Sequence, residues 1–194
     1  MAGKHTLRLL HKYKGRDMAM MLDLYDRDIL DDEGEPFPLK KTDEQFFERV
    51  VGLLPMHLKH LSKEHLIRTL EVLVKRGIGS DRLFRDYLLL KIERNIPKLT
   101  LDQYCRMLRA LADKQYVEDS VFWNEYVFKY IQGGKEQQGP KVFTEAEARK
   151  LWDAMIYLKL KCPSLDLKDH ISYVEKFMPQ GGDSTSYAAE PFSA

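Results

Sequence analysis

"DRLFRDYLLLKIERN" (Asp81–Asn95) returns as "DSVFWNEYVFKYIQG" (Asp119–Gly133): an Asp, two residues, a Phe, then an apolar run with a Lys inside it. Sliding the chain along itself by 38 residues extends the echo without a gap. Asp43, Asp81 and Asp119 fall in one column, and Phe46, Phe84 and Phe122 in another. Ser62 falls on Thr100, Leu66 on Tyr104, Arg68 on Arg106, Leu70 on Leu108 and Lys91 on Lys129. A fixed period of this length marks stacked supersecondary units, none of which buries its apolar face alone.

Each unit reads as a helical hairpin. In "LSKEHLIRTLEVLVKRG" (Leu61–Gly77), Leu66, Leu70, Leu73 and Val74 recur at spacings of three and four, as on an amphipathic helix. Ser62 or Leu61 opens it, and Gly77 stops it by accepting the left-handed conformation that follows a last helical residue. Asp81 is expected at the N-cap of the second helix, with Phe84 buried one turn in and Pro97 ending the helix. Downstream, "FTEAEARKLWDAMIYLKLK" (Phe143–Lys161) and "DLKDHISYVEKF" (Asp166–Phe177) form a further pair. Upstream, "DMAMMLDLYDRDIL" (Asp17–Leu30) pairs with "DEQFFERVVGLLPMHLKHL" (Asp43–Leu61), where Pro55 should kink or split the helix. The expected fold is all-α: a short α-solenoid of about four helical hairpins with a period near 38 residues, and an extended C-terminal tail.

The repeat domain spans 17–178, with an acidic loop at 31–41 and a polar insertion at 132–142. The Gly- and Ser-rich tail, 179–194, reads as flexible or docked on a partner. Before the domain, "MAGKHTLRLLHKYKGR" (Met1–Arg16) holds Lys4, Arg8, Lys12, Lys14 and Arg16 with no acid and a Leu stripe. That is the composition of a mitochondrial import segment; an ordinary basic helix used for docking has it too.

Lys plus Arg number 31 against 30 Asp plus Glu, a net charge of +1 that argues against a protein living mainly on phosphate contacts. The two cysteines, Cys105 and Cys162, offer neither a disulfide framework nor a metal quartet, which fits a reducing interior compartment. No apolar run is long enough to span a bilayer.

The columns nominate the candidate contacts. Arg68, Arg106 and Lys150 lie at matching places on successive first helices, where stacking would align them toward phosphates. The alternative is an ion pair between repeats with Glu64, Asp102 or another nearby acid. Lys4, Arg8 and Lys12 join them as candidate RNA or partner contacts, and Lys91, Lys129 and Lys176 form a second lysine column. His57, His60 and Glu64 have a spacing zinc accepts, yet their counterparts Asn95, Lys98 and Asp102 make a surface face the preferred reading. "DRDILDDEGE" fails the calcium-loop template, since counting back from Gly34 puts Ile29 at the first ligand position. "QGGKEQQGPK" lacks the phosphate-loop pattern. Cys105 falls under Ile67 and should be a buried, inert thiol; Trp123 and Trp152 should be packing residues. No metal, no cofactor and no catalytic residue is expected.

In its period, its hairpin pattern and its Asp, Phe and Arg columns, the chain resembles organellar helical-hairpin repeat proteins: the pentatricopeptide, octotricopeptide, heptatricopeptide and FAST-kinase-like types. The resemblance covers roughly 17–178. It implies a mitochondrial matrix protein that binds organellar RNA or serves as a scaffold. The function expected from it is a non-catalytic structural subunit of a mitochondrial ribonucleoprotein, a mitoribosome or an RNA-processing complex. The alternative is a protein-only accessory subunit of a respiratory or ATP-synthase complex. Its partners are subunits of such an assembly, with ribosomal or other organellar RNA as a further partner.

Overall fold

A computed structural model describes residues 14–26, 41–132 and 141–179. These residues form helices joined by turns, with no strand among them. Residues 1–13 of the basic start, most of the acidic loop and of the polar insertion, and all but the first residue of the tail lie outside the described residues.

Eight helices follow in order among the described residues. They are α1 (Gly15–Asp26), α2 (Lys41–His57), α3 (Lys63–Arg76), α4, α5 (Leu101–Asp113), α6, α7 (Glu145–Lys161) and α8 (Lys168–Glu175). α4 is a π-helix over Leu83–Leu89 and an α-helix over Leu90–Glu93; α6 is a π-helix over Phe122–Val127 and an α-helix over Phe128–Gln132. The odd-numbered helices pack in succession, α1 on α3, α3 on α5, α5 on α7, and α4 packs between α2 and α6.

Local chemistry sets where the first helices begin. Ser62, Thr100 and Thr144 are the N-caps of α3, α5 and α7, each accepting the amide three residues on through its hydroxyl. Gln103 and Glu147 return the favour to the cap backbone, completing capping boxes. Just before α3 and α5 stand 3₁₀ turns, Leu58–His60 and Ile96–Lys98, entered from His57 and Asn95 with the same φ of −104° and ψ of −16°. α2 runs through Pro55 and ends at His57, two residues on. Gly15, at the start of α1, has no room for a side chain: a Cβ there would sit 2.8 Å from the His57 carbonyl oxygen.

The first helices also stop alike. Gly77 (φ 62°) and Gln115 (φ 53°) are left-handed, and the following amides, Ile78 and Tyr116, donate back to Leu73 and Leu111 at 3.0 and 3.1 Å. Beyond this point the two segments diverge. Ser80, not Asp81, accepts the Leu83 amide at 3.1 Å, whereas Asp119 accepts the Phe122 amide at 2.9 Å. The expected Asp cap is therefore corrected for α4: Asp81 instead reaches the Lys114 ammonium at 3.5 Å. The turn after Gln115 is one residue longer than the turn after Gly77, so the second helices match at 39 residues. Leu83, Phe84, Leu88 and Leu89 are buried on α4 where Phe122, Trp123, Val127 and Phe128 are buried on α6.

Aromatic packing links these layers. Ring contacts run from Phe84 to Tyr116, Phe122, Trp123, Phe128 and His170, and the Trp123 indole N–H donates to the Tyr116 carbonyl at 3.1 Å. Tyr104 and Tyr130 stack at 4.0 Å; the Tyr104 hydroxyl donates to the Val127 carbonyl, where the π stretch of α6 gives way to α, at 2.8 Å. Burial holds the Tyr104 phenol well above its ordinary pKa, so this donor stays protonated.

Candidate functional site

The three basic residues singled out in the sequence, Arg68, Arg106 and Lys150, each meet a carboxylate. Arg106 on α5 meets Glu71 of α3 in a two-pronged pair, Nε to Oε1 at 2.7 Å and Nη2 to Oε2 at 2.5 Å. Its third nitrogen donates to Glu64 at 2.6 Å. Arg68 donates to the same Glu71 at 3.5 Å, and Lys150 on α7 reaches Asp102 of α5 at 3.2 Å. Arg106 and Lys150 each join an acid on the preceding odd-numbered helix, the arrangement named above as the alternative to phosphate contact, while Arg68 pairs within α3 itself. Glu64 is held below the usual carboxylate range, first by the Arg106 hydrogen bond and also by a bond from Gln103. The planar guanidinium fork fits Glu71 in a way a lysine could not.

The other candidates are placed as follows. Lys4, Arg8 and Lys12 lie outside the described residues. In the second lysine column, Lys129 pairs with Glu125, and the Lys176 ammonium lies 5.7 Å from the Tyr173 ring centre. His57 ends α2, His60 closes the 3₁₀ turn, and Glu64 serves Arg106; among the described residues no group of three His, Cys, Asp or Glu is placed to hold a metal. Both thiols are buried and donate weakly across the α5–α7 seam, Cys105 to the Lys150 carbonyl and Cys162 to that of Ala112. Burial pushes Cys105 up to about 11 and raises Cys162, which keeps both as thiols at neutral pH. Trp123 is fully buried, and Trp152 donates to Glu175 at 3.1 Å.

What the columns missed lies on the opposite layer. Tyr87 and Leu90 on α4 and Tyr126 on α6 are 38%, 46% and 38% exposed. A groove of about 530 Å³ opens at Leu90, lined also by the buried Leu89 and Phe122 and by Asp86, Glu93, Glu118 and Asp119. The Glu93 carboxylate on α4 lies beside the Tyr126 hydroxyl on α6 and raises that phenol's pKa. A shift of 38 hid this face by laying Tyr126 on Leu88; at 39 it lies on Tyr87. Among the described residues, no helix is long and apolar enough to cross a membrane. No family model, no curated protein and no solved structure matches the chain.

Proposed function

We propose that this chain is a short α-solenoid of about four hairpins and acts as a non-catalytic scaffold subunit of a mitochondrial assembly, holding protein neighbours. Supporting the architecture is the order of contacts, α1 to α3 to α5 to α7 and α2 to α4 to α6, with a hydroxyl cap recurring at the start of α3, α5 and α7. Mitochondrial residence rests on the basic, acid-free first 16 residues.

One observation carries the choice of protein over RNA: Arg106 already holds two carboxylates and Lys150 a third. Bringing a phosphate to Arg106 would mean giving up these bonds and depriving Glu71, 22% exposed, of its two-pronged contact. A protein-only accessory subunit is thus better supported than a ribonucleoprotein subunit docked through this column. Thiols held protonated by burial also favour a non-catalytic role.

Sedimentation of the native protein, before and after nuclease, tests the choice. The expected result is rapid sedimentation that survives nuclease. Release by nuclease, together with loss of RNA retention in the Arg68→Ala, Arg106→Ala, Lys150→Ala triple variant, would restore the ribonucleoprotein reading.

A further inference from the structure

We propose that the outer face of α4 and α6 docks a basic, amphipathic segment of a partner protein. Its apolar side chains enter the groove beside Leu90, and its flanking Lys or Arg side chains meet the carboxylate rim. This rests on the reading of the chain as a protein scaffold and names the chemistry of one neighbour.

The apolar part of the argument comes from comparing the two helices. At the 39-residue match, Leu90 occupies the outward place that α6 gives to Lys129, which pairs with Glu125. An isolated exposed leucine is ordinary. Here, however, Tyr87, Leu90 and Glu93 follow one another at spacings of three along one face of α4, and Tyr126 reaches across from α6 to Glu93. Leu90 itself lines the groove above the buried Leu89, Tyr116 and Phe122, an apolar and aromatic surface of the kind interface cores use. Both walls also carry π-helical stretches, Leu83–Leu89 and Phe122–Val127, a rare geometry that concentrates at functional sites. The groove's volume of about 530 Å³ lies within the range of ligand-sized clefts, about 300–1,000 Å³.

Charge selects the occupant. Four carboxylates line the groove against one lining cation, Arg85, which pairs with Glu118. Arg82 partly offsets Asp86 at 3.6 Å. Asp119 takes the Phe122 amide, and among the described residues neither Glu93 nor Asp119 forms a salt bridge with a cation. A rim of this sign repels nucleic-acid phosphates and attracts lysine and arginine.

The test titrates the full chain with a fluorescent synthetic helix carrying leucines at i and i+4 flanked by lysines, read by anisotropy and by backbone amide shifts. Shifts are expected to cluster at Leu89, Leu90 and Ser120–Phe122. Leu90→Asp and, separately, Glu93→Lys should each weaken binding about tenfold or more, with helical circular dichroism unchanged. Asp153→Lys, on the exposed side of α7, should leave affinity intact. The proposal is overturned by absence of binding, by affinity indifferent to both groove variants, or by an RNA oligonucleotide that shifts the same amides. Undiminished nuclease-resistant sedimentation of Leu90→Asp alongside such a failure removes this site and leaves the scaffold reading standing; loss of that sedimentation from the unaltered chain removes both.

Discussion

The consecutive helices α3 and α4, and the consecutive helices α5 and α6, begin with equivalent caps and end their first members with equivalent left-handed residues, yet they turn different faces to the solvent. Both first helices carry a hydroxyl N-cap, and both return a 3.0–3.1 Å hydrogen bond at the far end. One additional residue before Asp119 then displaces α6 by a place relative to α4. The result is that Phe84 and Trp123, not Phe84 and Phe122, fill matching sites, and that Leu90 is exposed where Lys129 stands on its neighbour. Copies that read alike in sequence have thus acquired different surfaces, one of them apolar and acid-rimmed. A turn of one residue is enough, because each residue added rotates a helix face by roughly a quarter turn.

That comparison can be broken at three strengths. The largest effect is expected at its packing centre: Trp123→Ala should cost about 3–5 kcal/mol, and Phe84→Ala somewhat less, measured by chemical denaturation. Equal small losses would mean that the 39-residue match does not set the core.

Next come the rungs between first helices. Arg106→Met leaves the largely buried Glu71 carboxylate without its fork and should cost about 1–3 kcal/mol. Lys150→Met, whose pair with Asp102 is well exposed on both sides, should cost less than about 0.5 kcal/mol. The same difference has a pH signature. Glu64 titrates lower in the folded chain than its ordinary value of 4.5, so its contribution is present above that pH and lost as pH falls through and below it. Glu64 is half exposed, so the effect is small. In acid titrations followed by circular dichroism, Glu64→Gln should flatten the stability loss below pH 4.5 slightly, and Arg106→Met should abolish that difference.

The smallest effect separates the caps. Ser80→Ala and Asp119→Ala should each cost about 1 kcal/mol, while Asp81→Ala should cost less than about 0.5 kcal/mol. A larger loss at Asp81 than at Ser80 would reinstate the Asp column and sink the shifted register.

Much of this was legible without coordinates. The first-helix starts at Ser62 and Thr100 and the stop at Gly77 follow from hydrogen bonds made within a few residues, and such bonds leave a pattern in the sequence. The acids that fill the basic column, Glu64 and Asp102, were identifiable because they recur with it. Glu71 was not, since its bond to Arg106 depends on how α3 and α5 are rotated against each other. The α4 cap was misread for a similar reason: "GSDRLF" offers both Ser80 and Asp81, and only burial of Leu83 and Phe84 decides between them.

By itself, then, the sequence determined an all-helical chain, the capped starts of its helices and a balanced charge. Those properties arise from backbone groups and side chains near one another along the chain. Tertiary structure alone decided the π-helical stretches, the rotation of α6, the partners of Arg106 and the exposure of Leu90. A helix's rotation about its axis is chosen by the side chains that fill the neighbouring helix's gaps, and no local hydrogen bond records that choice.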